Sequence, residues 1–161
     1  MLKILVIYSS RSGNTQKLAE AIALGVKAVS EVECEIKSVS EVSNKDLVEA
    51  DGIIVGSPVY FGTMSAEVKE MFDKSVAVRR NLEGKIGAAF TTSGHHTGGK
   101  ETTIFSILQA MLIHGMIIVG DPISVGGHYG VASVGSPDTE GINSGKALGR
   151  RVAEITKKLS C

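Results

Sequence analysis

Short apolar runs alternate with segments of helical periodicity along the whole chain. Four runs, at residues 2–8, 52–57, 86–91 and 116–119, are nearly continuous in apolar side chains, which is typical of strands buried on both faces. A fifth run, 32–37, alternates apolar and polar residues and is predicted to be a half-exposed strand at a sheet edge. Strands and helices in alternation predict an α/β fold with a doubly wound, five-stranded parallel sheet and helices on both faces.

Helices are predicted between these strands from the spacing of apolar residues. One helix is predicted to begin near Thr15, a second to begin near Ser65 and a third to end at Gly115. A last helix is marked by the apolar residues between 148 and 159. Residues 44–50 are predicted to form a short helix or turn, whereas the Gly-rich stretch 121–145 shows no clear element. With the half-exposed strand at the edge, the predicted strand order is 2-1-3-4-5, and a ligand is expected where strands one and three diverge.

Length and charge indicate the number of domains and the kinds of partner to expect. The 161 residues are expected to form one domain spanning 1–161. Lys+Arg and Asp+Glu both number 17, so no charge excess favours nucleic acid or an anionic membrane. The sequence has no leader pattern and no apolar span of membrane length, so no membrane insertion is expected and the predicted location is cytoplasmic.

The cysteines and the paired histidines do not indicate a metal site. Cys34 is expected to face the core and Cys161 to be a mobile terminal residue, and neither belongs to a C-x-x-C motif. His95 and His96 are adjacent, without an evident third ligand. Neither a metal centre nor thiol catalysis is predicted.

The loop between the first strand and the first helix is the strongest functional signal. It is rich in hydroxyl and amide donors and precedes a helix N-terminus, which favours an anion with several oxygens, such as a phosphate monoester. Its residues are Ser9, Ser10, Arg11, Ser12, Gly13, Asn14 and Thr15. It lacks both G-x-G-x-x-G and G-K-[ST], and the alternative is an ordinary polar turn.

Three stretches, taken in order, resemble one known family. Ser9-x-x-x-Gly13-Asn14-Thr15 resembles the FMN phosphate loop of flavodoxin-like proteins. Residues 57–65 resemble the G-[ST]-P-x-x-x-G-x-M loop of WrbA-like NAD(P)H:quinone oxidoreductases. Residues 92–99, then His114-Gly115-Met116, resemble the third loop and fifth strand of that family, and 127–130 its His-bearing loop. The segment from Asp73 to Gly84 looks shorter than in that family, where an insertion helps to build the active site.

This resemblance implies a flavodoxin-like fold, FMN as cofactor, NAD(P)H as co-substrate, and a quinone or another small electron acceptor. Hydride would pass to flavin N5 before two-electron reduction of the quinone. It also implies a homo-oligomer, a dimer or tetramer, with flavin sites near subunit contacts. Besides residues 9–15, the expected FMN-binding residues are Pro58, Val59, Tyr60, Phe61, Gly62, Thr92, Ser93, Gly94, His95, Gly98 and Gly99.

Several residues of the predicted site allow more than one role. Tyr60 and Phe61 either stack on a planar ring or pack under their loop. His128 is expected to be catalytic as a proton donor, the alternative being a solvated loop histidine. Arg11 either meets a phosphate of FMN or NADPH or is solvated. His114, beside Gly115 at a helix end, is expected to cap carbonyl groups.

Other functions remain as alternatives at this point. Residues 94–100 fit the start of a Walker A motif, but Glu101 stands where a Ser or Thr is required, which disfavours nucleotide hydrolysis. A flavodoxin-type electron carrier without NAD(P)H activity is the main alternative, although such carriers tend to be acidic and this chain is neutral. A flavin-binding sensor or interaction protein is the non-enzymatic alternative.

Overall fold

The computed structural model describes residues 1–160, so the expectation for Cys161 lies outside the described residues. One parallel sheet organises this part of the chain, in the order β2-β1-β3-β4-β5, with β6 also paired to β4. The predicted α/β class and strand order are confirmed. The strands are β1 Leu2–Tyr8, β2 Val32–Ser38, β3 Gly52–Pro58, β4 Ile86–Ser93, β5 Ile117–Ile118 and β6 Val131–Val134.

Helices cover both faces of the sheet. The α-helices are α1 Asn14–Lys27, α2 Asn44–Glu49, α3 Ala66–Lys74, α4 Lys100–Ile113 and α5 Thr139–Leu159, and short 3-10 segments span Val39–Glu41, Ser75–Leu82 and Ile123–Val125. The sheet has a hydrophobic core on each face, and successive residues of β1 point into opposite cores. Ile4 and Val6 pack with α1 and α5, whereas Leu5 and Ile7 pack with α3 and α4. No helix among residues 1–160 is long and apolar enough to cross a membrane.

The fifth strand position is divided between two segments, which differs from the single predicted strand 116–119. β5 pairs with Ile86 and Gly87, and β6 pairs with the last four residues of β4, beginning at Phe90. Val119 N–H donates to Gly87 O at 2.9 Å, and the backbone of Gly130 approaches Ala89 O, so the two segments lie along one line beside β4. Residues 120–129 therefore form a loop inserted between the two segments of this fifth strand, and we refer to them as the inserted loop.

The prediction that 121–145 lacks regular structure is wrong. The stretch contains β6 and the first two turns of α5, which begins at Thr139 rather than near 148. Glycines obscured the helical pattern because they replace the apolar residues at the α1–α5 contact. A Cβ on Gly149 would lie 2.0 Å from Ile22 O, and one on Gly25 would lie 2.0 Å from Lys146 O. The two helices are close enough that only glycine fits.

Candidate active site

Three loops meet where β1, β3 and β4 end at the same edge of the sheet. They are the first loop (residues 9–13), the second loop (59–65) and the third loop (94–99), and each leads from its strand toward a helix. Since parallel strands end at one edge, the fold gathers these loops at the divergence of β1 and β3. This is the position that the sequence predicts for a ligand.

The first loop presents backbone and side-chain donors at the N-terminus of α1. Ser9 N–H donates to Gly56 O at 3.1 Å, which fixes the end of β1 against β3. Gly13 has φ +87°, a left-handed conformation that favours glycine, and its N–H donates to Ser10 Oγ at 3.1 Å. No side chain caps α1, so the N–H groups of its first turn remain available to an anion. This donor set fits the terminal phosphate of FMN.

A buried hydrogen bond joins the first loop to the third. Thr15 Oγ1 lies 2.7 Å from Thr92 Oγ1, and both residues are buried. Thr15 belongs to the first turn of α1 and Thr92 to the end of β4, so the bond spans the middle of the predicted site. Thr15 and Thr92, predicted separately as cofactor-binding residues, are thus direct neighbours.

The second loop is a tight hairpin with an exposed aromatic tip. Tyr60 and Thr63 exchange two backbone hydrogen bonds of 3.0 and 3.1 Å around Phe61 and Gly62. Both central residues have positive φ, +49° for Phe61 and +76° for Gly62, as in a type I′ turn. Phe61 is fully exposed, so the alternative that it packs under the loop is wrong. Met64, in contrast, is buried against α4.

Arg11 connects the first and second loops. Its guanidinium carbon lies 5.5 Å from the centre of the Tyr60 ring, within the range of a cation–π interaction. The pKa of Glu67, in the first turn of α3, is lowered, first by a hydrogen bond from its own backbone N–H, then by the Ser65 hydroxyl, and further by the charge of Arg11. Arg11 is exposed, and its guanidinium contacts the Tyr60 ring at the edge of the site.

The third loop packs against the second through glycine. Gly99 has φ +101°, and a Cβ there would lie 2.7 Å from the Cα of Gly62. Within the loop, Ser93 Oγ donates to His95 O at 2.7 Å, and Gly98 N–H donates to the same oxygen at 3.1 Å. The exposed backbone near Gly94 and His95 borders the region above the ends of β3 and β4.

His128 lies on the inserted loop, outside the three loops that meet above β1 and β3. An open cavity of about 580 Å³ beside β6 is lined in part by His128, Asp121, His96 and Lys100. His96 belongs to the third loop and Lys100 begins α4, so this cavity adjoins the predicted flavin site.

Two contacts that involve the inserted loop were not singled out by the sequence. Asp121 contacts His128, and Phe105 of α4 packs on Tyr129 with ring centres 4.4 Å apart. Neither contact has a local signal, because each pairs residues distant along the chain or lies in a stretch without periodicity.

His114 has the structural role that the sequence predicts. It is buried at the end of α4, with Nδ1 2.7 Å from Ala110 O and Nε2 2.7 Å from Ser75 Oγ. The residue ties the helix end to the segment after α3 and lies at the opposite edge of the sheet from the candidate site.

Comparisons with known proteins agree with this architecture. Residues 41–130 match the family model described as NADPH-dependent FMN reductase. An NAD(P)H dehydrogenase (quinone) of Archaeoglobus fulgidus is 40% identical over 190 aligned positions, covering 99% of this chain and all of the relative. A flavodoxin of Aquifex aeolicus is 38% identical over 160 positions, covering 96% of this chain and 86% of the relative.

The fold also agrees with that of a solved structure. The crystal structure of a flavodoxin-type, WrbA-like protein from Agrobacterium tumefaciens superimposes with a TM-score of 0.83 at 24% identity, covering 98% of this chain and 99% of that one. Since the family model spans more than half of the sequence and the relatives match nearly all of it, the chain belongs to the NADPH-dependent FMN reductase family.

Proposed function

We propose that this protein is an FMN-dependent NAD(P)H:quinone oxidoreductase, acting through a single flavin-binding domain formed by residues 1–161. The observation that carries the proposal is the joining of the phosphate-type first loop to the third loop by the Thr15–Thr92 hydrogen bond. The name and 40% identity of the Archaeoglobus fulgidus NAD(P)H dehydrogenase (quinone) support the choice of reaction.

The first loop would hold the FMN phosphate through the N–H groups of the first turn of α1 and the side chains of Ser10, Ser12 and Asn14. Gly13 leaves room for this, since nothing lies within 4 Å of the position of an added Cβ. FMN, when bound, supplies the capacity to take a hydride from NAD(P)H and pass two electrons to an acceptor. The remaining predicted FMN-binding residues of the second and third loops would border the ring.

Side chains around this site suit planar substrates. Tyr60 is half-buried and Phe61 fully exposed at the tip of the second loop, where aromatic faces can cover a nicotinamide or quinone ring. Because both substrates need the same flavin face, one pocket would serve them in turn and give ping-pong kinetics. His128 would supply a proton to the reduced acceptor.

A homo-oligomer, a dimer or tetramer, is part of the proposal. α4 carries three apolar residues among the exposed residues of its outer side, Phe105, Leu112 and Ile113. Tyr129 of the inserted loop extends this surface through its contact with Phe105. Association of copies would remove the apolar patch from water. A cytoplasmic location also belongs to the proposal, because Cys34 has no disulfide partner among residues 1–160, which suits a reducing compartment.

The test is steady-state oxidation of NADPH and of NADH by the FMN-loaded protein with benzoquinone as acceptor. The expected result is quinone-dependent turnover with parallel double-reciprocal lines. His128→Ala should lower this turnover while FMN affinity, measured by quenching of flavin fluorescence, stays unchanged. Absence of NAD(P)H oxidation in the FMN-loaded protein would contradict the proposal, and a monomer in sedimentation at micromolar concentration would contradict the oligomer.

A flavodoxin-type electron carrier is the second candidate, and the lengths of the alignments favour it. The alignment with the quinone dehydrogenase spans 190 positions, more than the 161 residues of this chain, so that relative contains residues absent here. The alignment with the Aquifex aeolicus flavodoxin spans 160 positions and 86% of that relative, so within the matched region the flavodoxin has few residues that this chain lacks. A carrier would be reduced by an added flavodoxin reductase but not by NAD(P)H alone, which distinguishes the two functions.

A further inference from the structure

The carboxylate of Asp121 closes the base of the inserted loop. Its side chain is only 3% exposed, and Oδ1 accepts a hydrogen bond of 2.8 Å from the backbone N–H of His128. The bond joins residues seven apart, at the two ends of the loop. Asp121 therefore fixes the backbone from which the His128 side chain projects.

The second oxygen of the same carboxylate faces the imidazole ring. Asp121 Oδ2 lies 3.6 Å from His128 Nδ1, too long for a hydrogen bond but close enough for an electrostatic preference. A lone pair on Nδ1 would face the negative oxygen, whereas an N–H on Nδ1 would be attracted to it. The carboxylate consequently favours the forms of the ring in which Nδ1 carries the proton.

Gly126 packs against the same edge of the His128 imidazole ring. A Cβ at this position would lie 2.4 Å from His128 Cε1 and 2.6 Å from Nδ1, but 3.6 Å from Nε2. The backbone there also has φ +128°, which side chains rarely adopt. Nδ1 and Cε1 thus lie against Gly126, although the His128 side chain as a whole is 70% exposed. Nε2 is the nitrogen left free for a ligand.

We propose that Asp121 is the positioning residue of His128, holding the proton of the neutral ring on Nδ1 and leaving Nε2 as the nitrogen that exchanges protons in the cavity shared with His96 and Lys100. This geometric assignment stands independently of the reaction. Its catalytic consequence rests on the proposed function. In that reaction Nε2 takes a proton from water to form the imidazolium, donates it to the reduced quinone oxygen, and returns to the neutral Nδ1–H form.

The direct test is the tautomer of His128 in protein labelled with ¹⁵N-histidine. Long-range ¹H–¹⁵N correlation spectra at about pH 8.5, two units above the ordinary imidazole value, distinguish a protonated from an unprotonated Nδ1. His128→Gln assigns the signal by removing it. The wild-type ring should be in the Nδ1–H form. In Asp121→Asn it should shift to the Nε2–H form, because the new amide N–H₂ can donate to Nδ1 while the amide oxygen keeps the bond to the backbone.

A matched control is Asp138→Asn. Asp138 lines the same cavity and also accepts a backbone hydrogen bond, from Gly141 N at 2.8 Å, but this bond caps α5 and does not involve His128. This substitution should leave the His128 spectrum unchanged. An Nε2–H ring in the wild type, or the same tautomer in the wild type and in Asp121→Asn, would overturn the proposal.

Turnover tests the catalytic consequence separately. With benzoquinone, Asp121→Asn should lower kcat by roughly tenfold or more and add no further loss to His128→Gln. If the wild-type protein does not reduce quinone, the proposed function fails, while the spectra still decide the role of Asp121. If the tautomer shifts and kcat stays the same, the positioning role is supported and the proton transfer by His128 is overturned.

Discussion

The hydroxyl groups of Thr15 and Thr92 lie 2.7 Å apart, and the two residues are 77 positions apart in the chain. This buried contact joins the start of α1 to the end of β4 at the centre of the candidate site. Both residues are almost fully buried, so neither hydroxyl can replace the lost partner with bulk water.

Valine at either position should therefore destabilise the protein by about 1–3 kcal/mol, and the double substitution should lose less than the sum of the single ones. Urea unfolding of the four proteins measures this coupling. FMN affinity should also fall in Thr15→Val. Thr156→Val is the control, because it removes a buried hydroxyl that donates to Val152 O far from the site. It should change stability without changing FMN affinity.

Ser10→Ala should weaken FMN binding by on the order of 1.5–3 kcal/mol, because the hydroxyl both accepts from Gly13 N–H and lies where the phosphate is expected. Calorimetric titration with FMN measures the change. Ser30→Ala, at the other end of α1, should leave the affinity unchanged. Equal affinities for FMN and riboflavin in the wild type would contradict the phosphate site itself.

Phe61→Asn should stabilise the fold and impair the reaction. Asparagine tolerates positive φ, so the change relieves strain in the hairpin and should raise stability by about 0.5–1 kcal/mol. Loss of the exposed ring should reduce quinone turnover. Thermal unfolding and steady-state kinetics measure the two effects. Gly62→Ala, which places a side chain at φ +76°, should change stability in the opposite direction.

Gly149→Ala should destabilise the protein, although alanine is the better helix former. The added Cβ would lie 2.0 Å from Ile22 O and push α5 away from α1, an overpacking effect of about 1–3 kcal/mol. Asn143→Ala, on the exposed side of α5, is the control and should stay within about 0.5 kcal/mol of the wild type. If both variants were equally stable, the close packing of α1 on α5 would be wrong.

Asp46 should make stability fall in acid. Its carboxylate bonds Lys37 Nζ at 2.6 Å and the backbone N–H of Ser43 at 2.8 Å. These contacts, the bond to Lys37 first, lower its pKa from 3.8 to about 2. Because the folded-state pKa lies below the unfolded value, the contribution is complete above about pH 4 and is lost as the pH falls toward 2.

The measurement is the difference in free energy of unfolding between the wild type and Asp46→Asn. It should be about 1–2 kcal/mol near neutral pH and decline toward zero near pH 2. Glu49→Gln removes a more exposed carboxylate from the same surface network and should have a much smaller effect. A pH-independent difference for Asp46→Asn would exclude the ion pair as its cause.

The sequence by itself determined the strand and helix alternation, the parallel order 2-1-3-4-5 and the family resemblance, and it predicted an anion site at the first loop. All of these depend on local patterns: apolar runs mark buried strands, 3.6-residue spacing marks helices, and the residues of one loop determine its donors. The fold, the order and the family are confirmed, and the assignment of individual residues to FMN remains a prediction.

Tertiary structure decided the features that depend on contacts distant along the chain. The inserted loop is visible only from the pairing of β5 and β6 with β4. The start of α5 was obscured because its glycines are selected by closeness to α1, and helical periodicity carries no record of that partner. The Thr15–Thr92 bond arises for the same reason, because its partners are 77 residues apart. The Asp121–His128 pair is only seven residues apart, but it depends on how the inserted loop folds back on itself, and no local sequence pattern encodes that geometry.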